Sequence, residues 1–181
     1  MTTTLRSKVE VQLGWTWRDR IGPFVVTDDN RLRSDKELSD GIAAGQADVV
    51  WHAAGQTLAA AQSTTLELAA LVQSVFNDTI LISFGRVKAI LVVNKNTSGS
   101  AFLLIGAAGA DEFSAPFGML GDTVKVMPGS PLLLANLDEG WAVEPGHEVL
   151  MFQAIGGEVV FDIAILGTAS QGGSDSSSGV S

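Results

Sequence analysis

The side chains able to do chemistry are few and scattered. Histidine occurs twice, as His52 and His147. A sandwich metalloenzyme of the cupin kind needs a His-rich, Glu-containing ligand set on neighbouring strands. His147 and Glu148 are adjacent, so on a strand they point to opposite faces, and His52 has no H-x-H partner. Both histidines therefore read as ordinary turn or surface residues, and no metal is expected. A serine nucleophile needs a positioned base. No G-x-S-x-G occurs, and Ser98 and Ser100 fall in turn-forming sequence. The pairs Asp111-Glu112 and Asp138-Glu139 offer the carboxylates that glycoside hydrolysis uses, but both lie in loop-like stretches and read as solvated turns. Gly106 to Gly109 lacks the Lys and helix start of a phosphate loop. With no cysteine, disulfides, thiolate zinc sites and cysteine nucleophiles are removed together. The expectation is a protein that is not an enzyme and takes no cofactor.

Aromatic side chains are the other possible signal. Trp15, Trp17, Trp51 and Trp141 would make a sugar-stacking platform if the fold brought them together. Two of them instead continue the apolar face of one strand, after Val9, Val11 and Leu13. Filling a core or a subunit interface is the favoured use.

The elements that must position these residues follow from periodicity. Lys8 to Arg18 alternates strictly, with Val9, Val11, Leu13, Trp15 and Trp17 on one face, so it predicts a half-buried strand. Gly22-Pro23 breaks it and Phe24-Val25-Val26 resumes it. Thr27 to Gly45 is polar and turn-rich, and reads as an extended arm or long loop packing on a neighbouring subunit, with a disordered linker as the other reading. From Ala47 short strands recur: Ala47–His52, Thr64–Leu68, Thr79–Phe84, Thr123–Met127, Leu132–Ala135 and Val149–Ala154. Ala69–Phe76 reads as a helical turn. Val87–Val93 and Ala101–Ile105, joined by turn formers, predict a hairpin of a buried sheet. Gly156-Gly157 signals a second hairpin into Glu158–Leu166, where Val159, Phe161, Ile163 and Ile165 share a face opposite Asp162.

About eight short strands, with turns between and no long helix, predict an all-β fold, a jelly-roll-like β-sandwich with an extended N-terminal arm. The divisions are 1–46 for strand and arm, 47–168 for the sandwich, and 169–181 for a flexible Gly/Ser-rich tail. Strands apolar on both faces predict an outer face that meets a partner. The expected assembly residues are Val9, Val11, Leu13, Trp15, Trp17, Trp51, Val92 and Leu104.

Charge narrows the partners. The chain of 181 residues is 46% hydrophobic and 17% charged, with net charge −9. Residues 1–40 carry seven basic and seven acidic side chains, so the remainder holds the whole −9. An acidic body argues against nucleic acid, and a balanced, charge-dense N-terminus suits contact with protein. MTTTLRSKVEVQ lacks the features of a signal peptide, and no apolar run approaches the roughly 20 residues of a membrane helix. The expectation is a soluble chain made in the cytosol, with no membrane contact.

Ser39 to Trp51 forms a DG-x-x-x-x-QAD-x-x-W pattern, and is followed by Thr65-Leu66-Glu67-Leu68, Val87–Asn94, the Gly-rich Ile105–Gly109 and Phe113–Phe117. Pro128-Gly129, Gly140–Val143 and Asp162–Gly167 complete it. Over residues 38–168 this resembles a group of small virion structural proteins of tailed bacteriophages. The resemblance implies a capsid decoration (cement) protein on the capsid exterior, synthesised in the host cytoplasm. Its implied partners are the major capsid protein and copies of itself, as a homotrimer. A receptor- or glycan-binding module at a tail or capsid vertex is the alternative.

Overall fold

The computed structural model describes residues 4–75, 78–106 and 108–171. Among them every regular element is a strand. In chain order these are β1 Ser7–Ile21, β2 Phe24–Leu38, β3 Val49–Leu58, β4 Ser63–Glu67, β5 Leu71–Val75 and β6 Asp78–Ile82. There follow β7 Phe84–Asn94, β8 Phe102–Gly106, β9 Thr123–Val126, β10 Pro131–Ala135, β11 Trp141–Ala142, β12 Val149–Ile155 and β13 Val159–Ala169.

The body is an all-β sandwich of two antiparallel sheets. One has the order β10-β7-β13-β3, with β11 pairing β7 beyond β10, and the other the order β4-β12-β8-β9. Alternation decides what each strand sends inward. Val159, Phe161, Ile163 and Ile165 of β13 are buried against Leu150, Phe152 and Ala154 of β12 and Leu103 and Ile105 of β8. The rings of Phe152 and Phe161 reach from opposite sheets and stack, with centroids 5.4 Å apart and planes 13° from parallel. Each sheet turns an apolar face inward, and packing the two sheets face to face removes both inward faces from water. Hairpin β5–β6 closes one side, contributing Leu71 and Ile82 to the core.

Several expectations are corrected here. Leu71–Val75 is a strand where a helical turn was expected, and Phe76 and Asn77 lie outside the described residues. Val87–Val93 and Ala101–Ile105 do not pair: β7 and β8 belong to different sheets, and residues 95–101 cross between them. The buried Asn94 holds this corner, its amide donating to Val126 O at 3.0 Å. Gly156-Gly157 likewise joins strands of different sheets instead of a hairpin. Period-2 alternation reports which face of a strand is buried, not which strand lies beside it. The flexible tail expected at 169–181 lies mostly, over 172–181, outside the described residues.

The larger correction concerns Thr27–Gly45. Its first part is not a loop but most of β2, zipped residue for residue to β1 from Ser7↔Leu38 to Ile21↔Phe24. Gly22-Pro23, expected to break the strand, is the hairpin's two-residue loop. Gly22 has φ +63°, which the first central position of a II′ turn requires, and Pro23 presets the next φ. Thr16 Oγ1 donates to Asp29 Oδ1 at 2.7 Å, and Lys8, Glu10, Arg33 and Asp35 form a ladder of ion pairs at 3.1–3.5 Å. These exposed pairs set register more than they stabilise.

Asp162, on the outer face as expected, marks a bulge in β3. Ala54 and Gly55 together oppose it, and its carboxylate accepts Gly55 N–H at 2.8 Å and Lys95 Nζ at 3.2 Å. The backbone bond first, then the lysine, holds its pKa below the ordinary 3.8. A depressed carboxylate adds stability above its unfolded pKa and loses it as pH falls through the folded one. Asp162→Asn should therefore lower the melting temperature at neutral pH and flatten its decline below about pH 4. Parallel acid-limb slopes for the two proteins would refute this.

Candidate docking surface

The hairpin β1–β2 stands on the sandwich at its base. Val9 packs with Leu5 on Ala89, Leu133 and Leu166 of the first sheet's outer face, around the buried Leu38 and Ala47. Ala47 N–H donates to Ser39 O, and Leu5 N–H to Asp40 Oδ1. The turn 136–140 braces this base. Gly45 N–H donates to Asp138 O at 3.0 Å, Lys36 of β2 approaches its carboxylate at 3.8 Å, and Arg86 donates to Glu139 O at 3.3 Å. Lys88, buried in β7, donates to Asp138 O as well, and burial pushes its ammonium below the usual lysine pKa.

Beyond the base the hairpin leaves the body, and every residue from Val11 to Asp35 is exposed. Directly opposed residues of an antiparallel pair share a face. The register therefore puts Val9, Val11, Leu13, Trp15, Trp17 and Ile21 of β1 beside Leu32, Val26 and Phe24 of β2 on one face. The other face carries Glu10, Arg18, Arg20, Asp29, Arg31 and Arg33. The arm is an amphipathic two-stranded ribbon. Its apolar face is open to solvent, with Trp17 and Phe24 each 71% exposed and Leu32 69%. The half-buried strand expected at Lys8–Arg18 is buried only at its root, because among the described residues no second layer faces the ribbon.

A second apolar surface adjoins it. The outer face of the first sheet presents Val50, Leu91, Val93, Leu133 and Ala164, and with Val9 it walls an open groove of about 410 Å³. Val50 and Leu91 are 38% and 40% exposed.

Of the eight expected assembly residues, the hairpin gathers five: Val9, Val11, Leu13, Trp15 and Trp17 share its apolar face. Trp51 is a correction. Its ring lies in the core and Nε1 donates to Val72 O at 2.9 Å, so it fastens hairpin β5–β6 to the sandwich. Val92 is a correction of the same kind, fully buried between the sheets. Both lie on apolar strands, where composition alone does not separate an interior face from an interface. Leu104 is half-buried on the second sheet's outer face, opposite Gln153 and Lys125, far in register from the hairpin's gathered residues. Leu91 and Val50 were missed; their signal is that they alternate with core residues on strands apolar on both faces.

The tryptophans do not converge: Trp51 is interior, Trp141 packs against the core, and only Trp15 and Trp17 share a surface. Nor is Glu112 a solvated turn residue. It is buried, and its carboxylate accepts Gly121 N–H at 2.9 and 3.0 Å, closing the 113–121 loop. His147 Nδ1 lies 3.4 Å from Glu112 O, and His52 is exposed on the outer face. Among the described residues no three His, Asp or Glu side chains are grouped to hold a metal ion. No described helix is long and apolar enough to cross a membrane.

No known protein family matches the chain, and no curated protein matches it.

Proposed function

We propose that this chain is a structural protein of a tailed-bacteriophage virion, a decoration protein that binds the lattice of the major capsid protein as a homo-oligomer. The observation that carries the reading is the amphipathic hairpin: a long ribbon, rooted on the body, whose apolar face has no cover among the described residues of its own subunit. A monomer that ends its function alone gains nothing from exposing that face, whereas a lattice-binding protein needs such an arm. The pattern over residues 38–168 supplies the virion context, and the acidic body fits an outer surface facing solvent.

We also read the sandwich as a jelly roll. Numbering the eight sandwich strands β3, β4, β7, β8, β9, β10, β12 and β13 from one to eight, the sheets run 6-3-8-1 and 2-7-4-5. First pairs with last, second with seventh, third with sixth and fourth with fifth, in alternate sheets. One long folded ribbon, wrapped round a core, yields this order. Threefold association is an analogy from that fold class.

Purified particles of the encoding phage decide the matter. Density for this sandwich should lie on the outer shell, and added protein should sediment with undecorated capsids and raise their melting temperature. Particles lacking the chain, or density confined to the tail, would overturn the reading.

A further inference from the structure

We infer that the apolar face of the hairpin docks on the outer face of the β10-β7-β13-β3 sheet of a second copy of this chain. The inference rests on the homo-oligomer part of the proposed function and names the surface that receives the arm.

The chemistry of the contact is already present inside one subunit. Val9, the first residue of the hairpin's apolar face, sits on Ala89, Leu133 and Leu166 of that sheet. The ribbon then outruns its own body. Fifteen residues per strand span about 50 Å, while four strands side by side cover only about 15–20 Å. From Val11 onward the same face has lost the surface that its root recognises. Meanwhile Val50, Leu91 and Ala164, just beyond the root on the sheet, have lost their cover. A second copy supplies the missing half of each.

Shape and charge agree. The hairpin offers bulky groups, Leu13, Trp15, Trp17 and Leu32, and the sheet offers a shallow surface in which Ala164 lies between Leu91 and His52. The carboxylates bordering the receiving area are already paired: Glu10 with Lys8 and Arg33, and Asp162 with Lys95 and Gly55 N–H. The hairpin's own charges lie mostly on its opposite face, and residues 1–40 sum to zero against a body of −9. Over Val9 to Trp15 the two faces can therefore lose water together, while Asp19 and Asp28, which share this face nearer the hairpin's tip, stay hydrated at the rim of the contact. A hairpin meeting a sheet is a heterologous contact, which repeats until rotation closes it into a ring.

The native chain has no cysteine, so engineered pairs report cleanly. A full-length chain carrying both Leu13→Cys and Leu91→Cys, oxidised at the concentration where it self-associates, should give a ladder of intersubunit disulfides ending at one ring size. Each single variant should stay uncrosslinked. Disulfide dimers from Leu13→Cys alone would mean hairpin against hairpin and would overturn the proposal. So would a chain that sediments as a monomer at tens of micromolar, even if it binds capsids, because the arm's partner would then be the shell. Leu91→Glu is a second probe, at an exposed site that leaves the core intact. It should weaken self-association about a hundredfold by placing a carboxylate in the apolar contact. Unchanged sedimentation of a folded Leu91→Glu protein would overturn the proposal too. Whether the chain is found on the virion shell is read separately, so the two ideas fail independently.

Discussion

Phe161→Ala is expected to cost about 4 kcal/mol of folding stability, and the melting temperature should fall by roughly 10 °C. Three losses combine. The ring is 98% removed from water and its transfer free energy disappears. The stack on Phe152 goes with it, leaving that ring without its partner across the two sheets. Finally, a cavity opens near the start of β13, where Phe161 is paired on both sides, to β7 and β3, so the walls have little freedom to collapse. Phe161→Leu keeps most of the volume and should recover more than half of the loss. Thermal unfolding of the three proteins, followed by circular dichroism, measures it; an alanine variant melting within two or three degrees of the native chain (about 1 kcal/mol) would contradict the central place given to this pair.

The second large effect comes from adding a single carbon. Gly167 lies where β13 crosses the bulge of β7, with Val87 and Lys88 on β7 accommodated by one residue on its partner. A Cβ at this position would stand 2.1 Å from Arg86 O and 2.8 Å from the Phe84 ring. The first of these is backbone of the paired strand, so relief requires the ladder itself to part. Gly167→Ala should cost about 3 kcal/mol or more and yield little folded protein. Gly14→Ala is the matched control. It lies in a strand of the hairpin, where an added Cβ meets nothing closer than 3.8 Å, and its melting temperature should be nearly native. Equal stability of the two alanine variants would show that β7 and β13 are looser here than their register implies.

How much of this was readable beforehand depends on what each pattern encodes. The strands β4 and β13 stand close to where alternation puts them, and β6, β9, β10 and β12 close to where short apolar runs between turns do. β2 was missed because its pairs with β1 are made by Asp, Asn, Arg and Ser, whose turn-forming reputation outweighed their period. Such residues extend readily when a partner strand fixes them and nothing needs burying. The two failed hairpins, at residues 94–101 and 156–158, have turn chemistry that serves a corner between sheets as well as a tight loop. Trp51 and Val92, expected at an assembly interface, lie in the core instead, because an apolar residue needs cover and its type does not say which surface supplies it. By contrast, the five apolar residues of β1 needed no structure to be recognised as one face. What the structure adds is that this face is unshielded and that Leu91 and Val50 form its nearest counterpart.

The pairing of β3 with β13 has a consequence in time. Val49 lies beside Gly167 and the body's first strand is sealed by its last, so closure of the sandwich waits for nearly the entire chain to be synthesised. The hairpin needs nothing later than Leu38 and can zip within microseconds of emerging. Each new chain can therefore sample its adhesive ribbon while the surface under its root is still unmade. Non-local closure is slow, and during that interval neighbouring nascent chains on one message present ribbons without receptors. The charged face of the ribbon, with four arginines spaced among its aspartates, then protects against premature ribbon-to-ribbon aggregation. Neutralising those arginines should lower the yield of soluble protein while leaving the finished sandwich as stable as before.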